Sequence, residues 1–357
     1  MSTVQSNWDG LPVVGYPDAD GVPTDVFPLP AEVPVDIPEV PGRHRAEHFE
    51  SEPPAWAGQY LPYSVGEPGR AATEVVSVPD PENWHRRDSV IDGFVVRPEG
   101  GPPLAEVRAA SLRGLSHRAY GRTRQDEYAY QLTPDGRHLV LCVADGLSSG
   151  SWSHYAAEVA ARTGVTLLVN ALAHTEPAEL DWDRLMREVA GHIVAFARKR
   201  VPGGAELEVS EVAEWMSTTA VYAVAALGDE VMDVHVGSVG DSSAWVLAEP
   251  GWVPMADVKN ADADVHSSAV GALPLVPAQP VVRRHAQVAP GEVLVLMSDG
   301  VGDPLHNGTG EVGRFLAHSW RNPPDDLAFA AQVGFHKRSY DDDRTVVAVW
   351  PLPRLPR

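Results

Sequence analysis

The order of elements along the chain predicts an α+β fold of layered antiparallel sheets. Short β-branched runs come in clusters, two amphipathic helical stretches separate the third run from the fourth, and a second helix pair precedes the last run. A parallel βαβ fold would interleave a helix with each strand, which this chain does not do. At 44% hydrophobic and 22% charged over 357 residues, the chain has enough apolar material for a sizeable core.

From about residue 104 the elements follow in order. Runs rich in Val, Ala, Leu and Tyr predict strands at Glu106–Ser111, Tyr128–Leu132 and His138–Val143. Ser153–Leu172 is helical by its spacing, with Ala156, Val159, Ala160, Val165, Leu167 and Leu168 on one side. Trp182–Arg200 repeats the pattern with Leu185, Met186, Val189, Ile193, Val194 and Phe196. It ends in Arg198-Lys199-Arg200, where the helix dipole favours cations. Strands are then expected at Thr218–Ala226, Val231–Val239, Ala244–Leu247, Val281–Val288 and Glu292–Met297. Helices follow at Glu311–Trp320 and Asp325–Phe335, and a last strand at Thr345–Trp350.

Residues 1–100 differ in kind. They hold 15 of the 32 prolines and 17 acidic against 6 basic side chains. Between Pro12 and Pro54 proline recurs too often for a helix or a central strand to persist. The expectation is a Pro-rich, acidic, largely disordered arm over 1–100, with a globular domain over 101–352. Trp56, Tyr60 and Tyr63, and the apolar Val90–Val96 stretch, are the parts of the arm able to dock locally.

A formal net charge of −21 speaks against nucleic acid and anionic membrane surfaces as partners, since both require a basic face. One cysteine, Cys142, excludes an intramolecular disulfide framework and a Cys-rich zinc site; inside an apolar strand it reads as a buried structural thiol. No run approaches the ~20 apolar residues of a membrane helix, and the N-terminus lacks a basic start and an apolar stretch. The chain is expected to be soluble and cytoplasmic.

The informative residues are acids placed where strands begin or end. Val143-Ala144-Asp145-Gly146 closes one apolar run, and Leu296-Met297-Ser298-Asp299-Gly300 closes another. Gly240-Asp241-Ser242 lies between two strands. Arg122-Thr123-Arg124-Gln125-Asp126-Glu127 opens a strand, and Asp341-Asp342-Asp343-Arg344-Thr345 precedes the last one. A single Asp-Gly pair is an ordinary turn. Five such sites on the strands of one domain would gather four or five carboxylates, which must be neutralised by a cation. With no Cys cluster and no His pair at ligand spacing, that cation would be Mg²⁺ or Mn²⁺.

These residues, in this order, resemble the metal-dependent protein phosphatase 2C family, from about Arg108 to Trp350. The set is R-x-x-Q-D-E, V-A-D-G, S-T-T, G-D-S, S-D-G and D-D-D-R-T. The resemblance implies a four-layer sandwich, two antiparallel sheets flanked by helix pairs. It implies that Asp145 bridges two divalent ions with the Gly146 carbonyl on one of them. Asp299 and Asp342 would complete the first metal, Asp126 would serve the second, and Asp241 would help hold a third, weaker ion.

The first motif fits the family in two frames. If Asp126 stands for the family's Glu, Glu127 stands for its Asp and Arg122 for its phosphate-binding Arg. If Gln125-Asp126 stands for a Gln-Asp variant, Arg122 falls one position off. Leu147 follows Asp145-Gly146 where some members carry a His proposed as the acid. His117 and His154, near the motifs, read as surface or capping residues, and Ser217-Thr218-Thr219 as the start of a core strand. The flap region between Ala244 and Val281 looks short, and Asp257, Asp262 and Asp264 read as a solvated loop.

The implied activity is hydrolysis of phosphoserine and phosphothreonine in proteins, with Asp145, Asp299 and Arg122 central to catalysis and Arg122 also binding substrate. The implied partners are a phosphorylated protein and a cognate Ser/Thr kinase pathway. The alternative is a catalytically weak signalling or scaffold module that binds partners through the Pro-rich arm. A small-molecule phosphoesterase would differ only in substrate.

Overall fold

The structure is a computed structural model that describes residues 63, 65–66, 88–98, 101–201, 203–228, 230–255, 271–276 and 281–353. Two antiparallel sheets form its centre. The strands are β1 (Ser89–Val96), β2 (Ala105–Leu112), β3 (Glu127–Leu132), β4 (His138–Gly146), β5 (Thr218–Ala226), β6 (Met232–Val239), β7 (Ser243–Leu247), β8 (Trp252–Pro254), β9 (Val282–Val288), β10 (Val293–Met297) and β11 (Arg344–Pro351). The order is β1-β2-β11-β10-β7-β8 in one sheet and β3-β4-β5-β6-β9 in the other. The helices are α1 (Leu115–Ala119), α2 (Ser153–Leu172), α3 (Trp182–Arg200), α4 (Val209–Trp215), α5 (Asp299–Leu305), α6 (Glu311–Ser319) and α7 (Asp326–Val333).

Alternation along the strands builds three apolar layers. Between the sheets lie Leu141, Val143, Val221, Val234, Val236, Leu294, Leu296, Val347 and Val349, among others. The other faces of β4 and β5, with Val140, Cys142 and Tyr222, meet α2 and α3 through Ala160, Val165, Met186 and Ile193. Beyond the second sheet, Trp245, Val295 and Ala348 meet Val312, Leu316, Phe329 and Val333 of α6 and α7. Each fully buried Val or Leu contributes about 1.5–3 kcal/mol. The order is therefore helices, sheet, sheet, helices, as the sequence predicts.

Local chemistry agrees with the element ends. The Asp181 carboxylate accepts from the Arg184 amide at 3.0 Å and caps α3, whose last turn carries Arg198, Lys199 and Arg200. Cys142 is buried in β4, and burial pushes its thiol up, which suits a structural role.

The expected boundary at residue 100 is corrected. Ser89–Val96 pairs along its whole length with β2, from Ser89 opposite Leu112 to Val96 opposite Ala105. Flanking proline does not prevent a strand at a sheet edge, where only one side needs partners. Further back, the Val65 amide donates to the His336 carbonyl and the His336 amide donates to the Tyr63 carbonyl. Val65 is buried, and Tyr63 packs on Phe315 with ring centroids 5.2 Å apart. The remaining expectations for residues 1–87, including Trp56 and Tyr60, and for the Asp257, Asp262 and Asp264 loop, lie outside the described residues.

Candidate metal centre

The two sheets share one acidic end. In the first, Gly146 at the end of β4 pairs with Thr218 at the start of β5. One step past the Glu127–Ala144 pair, Asp126 comes beside Asp145. In the second, Met297 at the end of β10 pairs with Val346 near the start of β11 and with Ser243 at the start of β7. Asp299 and Asp342 follow and precede those ends by one or two residues. Strand register therefore delivers Asp126, Asp145, Asp299 and Asp342 to one place.

Their ionisation records the crowding. Burial, then the charges of Asp126 and Asp299, hold the Asp145 carboxyl well above the carboxylate range, and it shares a hydrogen bond with Asp299. Asp299 is pushed up to about 6 by burial, with Asp241, Asp342 and Asp303 adding to the rise and the Asp145 hydrogen bond opposing it. Asp126 is pushed up to about 8 by burial and by Asp343, against a hydrogen bond from Ser298. Asp342 is raised by burial and by Asp343. Carboxyl groups crowded this closely make a site short of positive charge. Oxygen-only donors in this number fit a hard divalent cation such as Mg²⁺ or Mn²⁺.

Neighbours fix these carboxylates. Ser298 Oγ donates to Asp126 Oδ2 at 2.7 Å and accepts from the Thr345 amide at 3.0 Å. Thr218 Oγ1 donates to the Asp145 carbonyl at 2.8 Å, so Thr218 braces the acidic strand end and Thr218 and Thr219 open β5, as expected. Two glycines are forced by close approach. A Cβ on Gly146 would fall 2.7 Å from the Ser153 backbone, and one on Gly300 would fall 1.9 Å from the Asp343 carbonyl.

Asp343 was missed by sequence reasoning. It is buried, accepting from the Gly114 amide at 2.6 Å and the Gln125 amide at 2.5 Å. His117 Nδ1 lies 2.9 Å from its Oδ1, and His117 Nε2 lies 4.0 Å from Asp342. The surface reading of His117 is therefore corrected. Burial acts to lower its pKa, but Asp343, Asp342 and Asp126 outweigh burial and leave it raised. His154 is corrected too: it is buried, with its ring 4.2 Å from that of Tyr155. No local pattern marks His117, because the carboxylates beside it come from a distant segment. The one available signal for Asp343 was the third acid of Asp341-Asp342-Asp343.

At the rim, Arg122 is exposed and its Nη1 donates to the Ser148 carbonyl at 3.4 Å. Arg124 is buried instead, with Nη1 on Ser111 Oγ at 2.5 Å and on the Asp126 carbonyl, and Nη2 3.6 Å from Glu127. Asp126 thus turns to the acidic cluster while Glu127 turns to Arg124. Asp241 is half-buried, close enough for its charge to act on Asp299.

A family model described as protein phosphatase 2C matches residues 113–328, more than half of the chain. The chain belongs to the protein phosphatase 2C family. The match ends before Asp342, so it is the geometry that brings the acids preceding β11 to the same end as Asp126 and Asp145. A bacterial serine phosphatase crystal structure is 15% identical, with a TM-score of 0.50 over 70% of this chain and 99% of that one, and shows the same fold. RsbX in complex with magnesium is 14% identical, with a TM-score of 0.45 over 73% and 100%. Stp1 from Staphylococcus aureus is 15% identical, with a TM-score of 0.46 over 68% and 94%. No curated protein matches the sequence. Among the described residues no helix is long and apolar enough to cross a membrane.

Proposed function

We propose that this phosphatase 2C chain hydrolyses phosphoserine and phosphothreonine in proteins, at a centre held by Asp126, Asp145, Gly146, Asp241, Asp299 and Asp342. The observation that supports it is the meeting of the buried Asp126 carboxyl with the half-buried Asp145, Asp299 and Asp342 from both sheets, each raised by loss of water and by its acidic neighbours. When bound, two Mg²⁺ or Mn²⁺ ions, with a third weaker one at Asp241, supply an activated water and neutralise phosphoryl oxygens.

The chain's own residues divide the remaining work. Asp145 lies between Asp126 and Asp299, the position from which one carboxylate can serve two ions. Ser298 orients Asp126 by its hydrogen bond. Arg122, at the rim, offers a planar guanidinium to the phosphate of the incoming residue. Thr218 has its hydroxyl committed to the Asp145 carbonyl and Cys142 is buried, so neither is placed to attack phosphorus. Leu147 offers no proton to the leaving group, so that proton comes from water or from another group. The natural partner is then a protein phosphorylated by a Ser/Thr kinase.

The test is phosphate release from p-nitrophenyl phosphate and from a phosphothreonine peptide, with and without Mn²⁺. Turnover of both that depends on Mn²⁺ is expected. Release from the small ester alone would redirect the assignment to small phosphoesters. No release from either would favour a scaffold acting through its arm.

A further inference from the structure

A second group of metal-binding side chains lies on the same five-stranded sheet, away from the acidic end. On β6, Asp233 and His235 are two residues apart and share one face, while Met232, Val234 and Val236 fill the sheet–sheet core on the other. β9 is the edge strand, and its register sets His285 directly opposite His235 and Gln287 opposite Asp233. The two imidazole rings lie 4.7 Å apart, centroid to centroid. Both turn Nε2 to one carboxylate: His285 Nε2 is 2.7 Å from Asp233 Oδ1, and His235 Nε2 is 3.1 Å from Oδ2. One ligand atom from each of the three residues lies within 4.8 Å of the others.

The chemistry of this set differs from that of the acidic end. Two imidazoles and a carboxylate suit zinc and its neighbours in the transition series, whereas oxygen-only sets suit Mg²⁺ and Mn²⁺. Although burial acts to raise it, Asp233 is held below the usual carboxylate range by His285 and His235, so it is ionised at neutral pH. Arg283, on the same face as His285, is already paired with Asp183. Three protein ligands leave a position for water or for the Gln287 amide. The two sites are also well separated. Asp145 pairs with Thr219 of β5, whereas His235 pairs with Val224 and Asp233 with Ala226. At ~3.3 Å per residue, five to seven residues of strand put them roughly 17–23 Å apart.

We infer that Asp233, His235 and His285 bind one zinc-class ion, pinning the edge strand β9 to β6 independently of the catalytic centre. Zn²⁺ titrated into the full chain in excess Mg²⁺, followed by calorimetry, should show one site in the wild type. His285→Ala and His235→Gln should each weaken it at least ~10-fold, since even outer-shell losses cost that much. Because His285 is half-exposed, its replacement leaves the core intact. His285→Cys, which supplies another zinc ligand, should restore binding. Asp145→Asn should leave the site unchanged, and Co²⁺ in place of Zn²⁺ should give a visible absorption band lost in His285→Ala. Equal Zn²⁺ affinity in wild type and His285→Ala, or no Zn²⁺ uptake in excess Mg²⁺, would overturn the inference. So would loss of the site in Asp145→Asn alone, which would assign the zinc to the acidic end.

Discussion

Ser298 Oγ donates a 2.7 Å hydrogen bond to Asp126 Oδ2, and the two residues adjoin strands of different sheets. Ser298 directly follows β10, and Asp126 immediately precedes β3. The bond is buried and ties a carboxylate beside the five-stranded sheet to the end of a strand of the six-stranded one. Ser298→Ala should therefore disturb Asp126 without removing a ligand, lowering turnover less than loss of Asp126 itself.

The inner carboxylates are the least replaceable. Asp145→Ala or Asp299→Asn should lower turnover at least ~10³-fold, about 4 kcal/mol of transition-state stabilisation. EDTA should abolish activity, and excess Mn²⁺ should restore it in the wild type alone. Wild-type turnover in Asp145→Ala would remove the bridging role.

The raised carboxyl groups give the metal-free protein a definite pH dependence. Asp126 at about 8 and Asp299 at about 6 both stand above the unfolded value near 4. The folded state holds protons that the unfolded chain has released, so stability falls as pH rises from about 4 through 6 to 8. In EDTA the Tm should drop by at least ~3 °C between pH 5 and pH 8. Saturating Mg²⁺ should flatten the trend, and a flat profile in EDTA would contradict the crowding described above.

Asp342 and Asp343 are neighbours with opposite tasks. Asp343→Ala strands two amides and a buried histidine, a loss of about 3–5 kcal/mol in urea unfolding. Asp342→Ala removes a raised, crowded carboxyl group and should leave the metal-free protein as stable as the wild type or more so, while turnover collapses. Similar unfolding midpoints for the two variants would argue against this division.

Asp241 tests the third ion. Asp241→Ala should keep two bound metals by elemental analysis while losing ~10- to 10²-fold in kcat, about 1.4–2.7 kcal/mol. Unchanged kinetics across a Mn²⁺ titration would make it a plain turn residue.

Truncation should locate where the fold begins. Removing residues 1–60 should leave the Tm unchanged. Removing 1–70 takes away buried Val65 and both backbone bonds to His336, and should cost about 2–4 kcal/mol. Equal stability of the two truncations would show that the Tyr63–Val65 contact is dispensable.

The readable parts of this chain were those with local causes. Eight strands and four helices lay within two residues of expectation, because β-branched runs and helical spacing are properties of adjacent residues; β4 runs three residues further than expected, through Asp145-Gly146. The acids at strand ends were readable for the same reason. His117 was not, since its burial depends on Asp343, more than 200 residues away. β1 was obscured by proline and charge on both sides, though an edge position tolerates both. Helices α1, α4 and α5 are seven residues or fewer and carry too few turns to show a period. The Asp233–His235–His285 group escaped because one of its members arrives only through β9 pairing.

The spread of the acidic cluster along the chain, from Asp126 to Asp342, bears on how the protein matures. These carboxylates cannot meet until β3 and β4 have docked face to face with β10 and β11, among the most sequence-distant pairings in the fold. On the proposed function, nascent or half-assembled chains should therefore lack the centre at which turnover occurs. The onset of metal-dependent turnover during refolding should mark the final closure of the sandwich, and a partly folded molecule should be unable to strip phosphate from anything it meets.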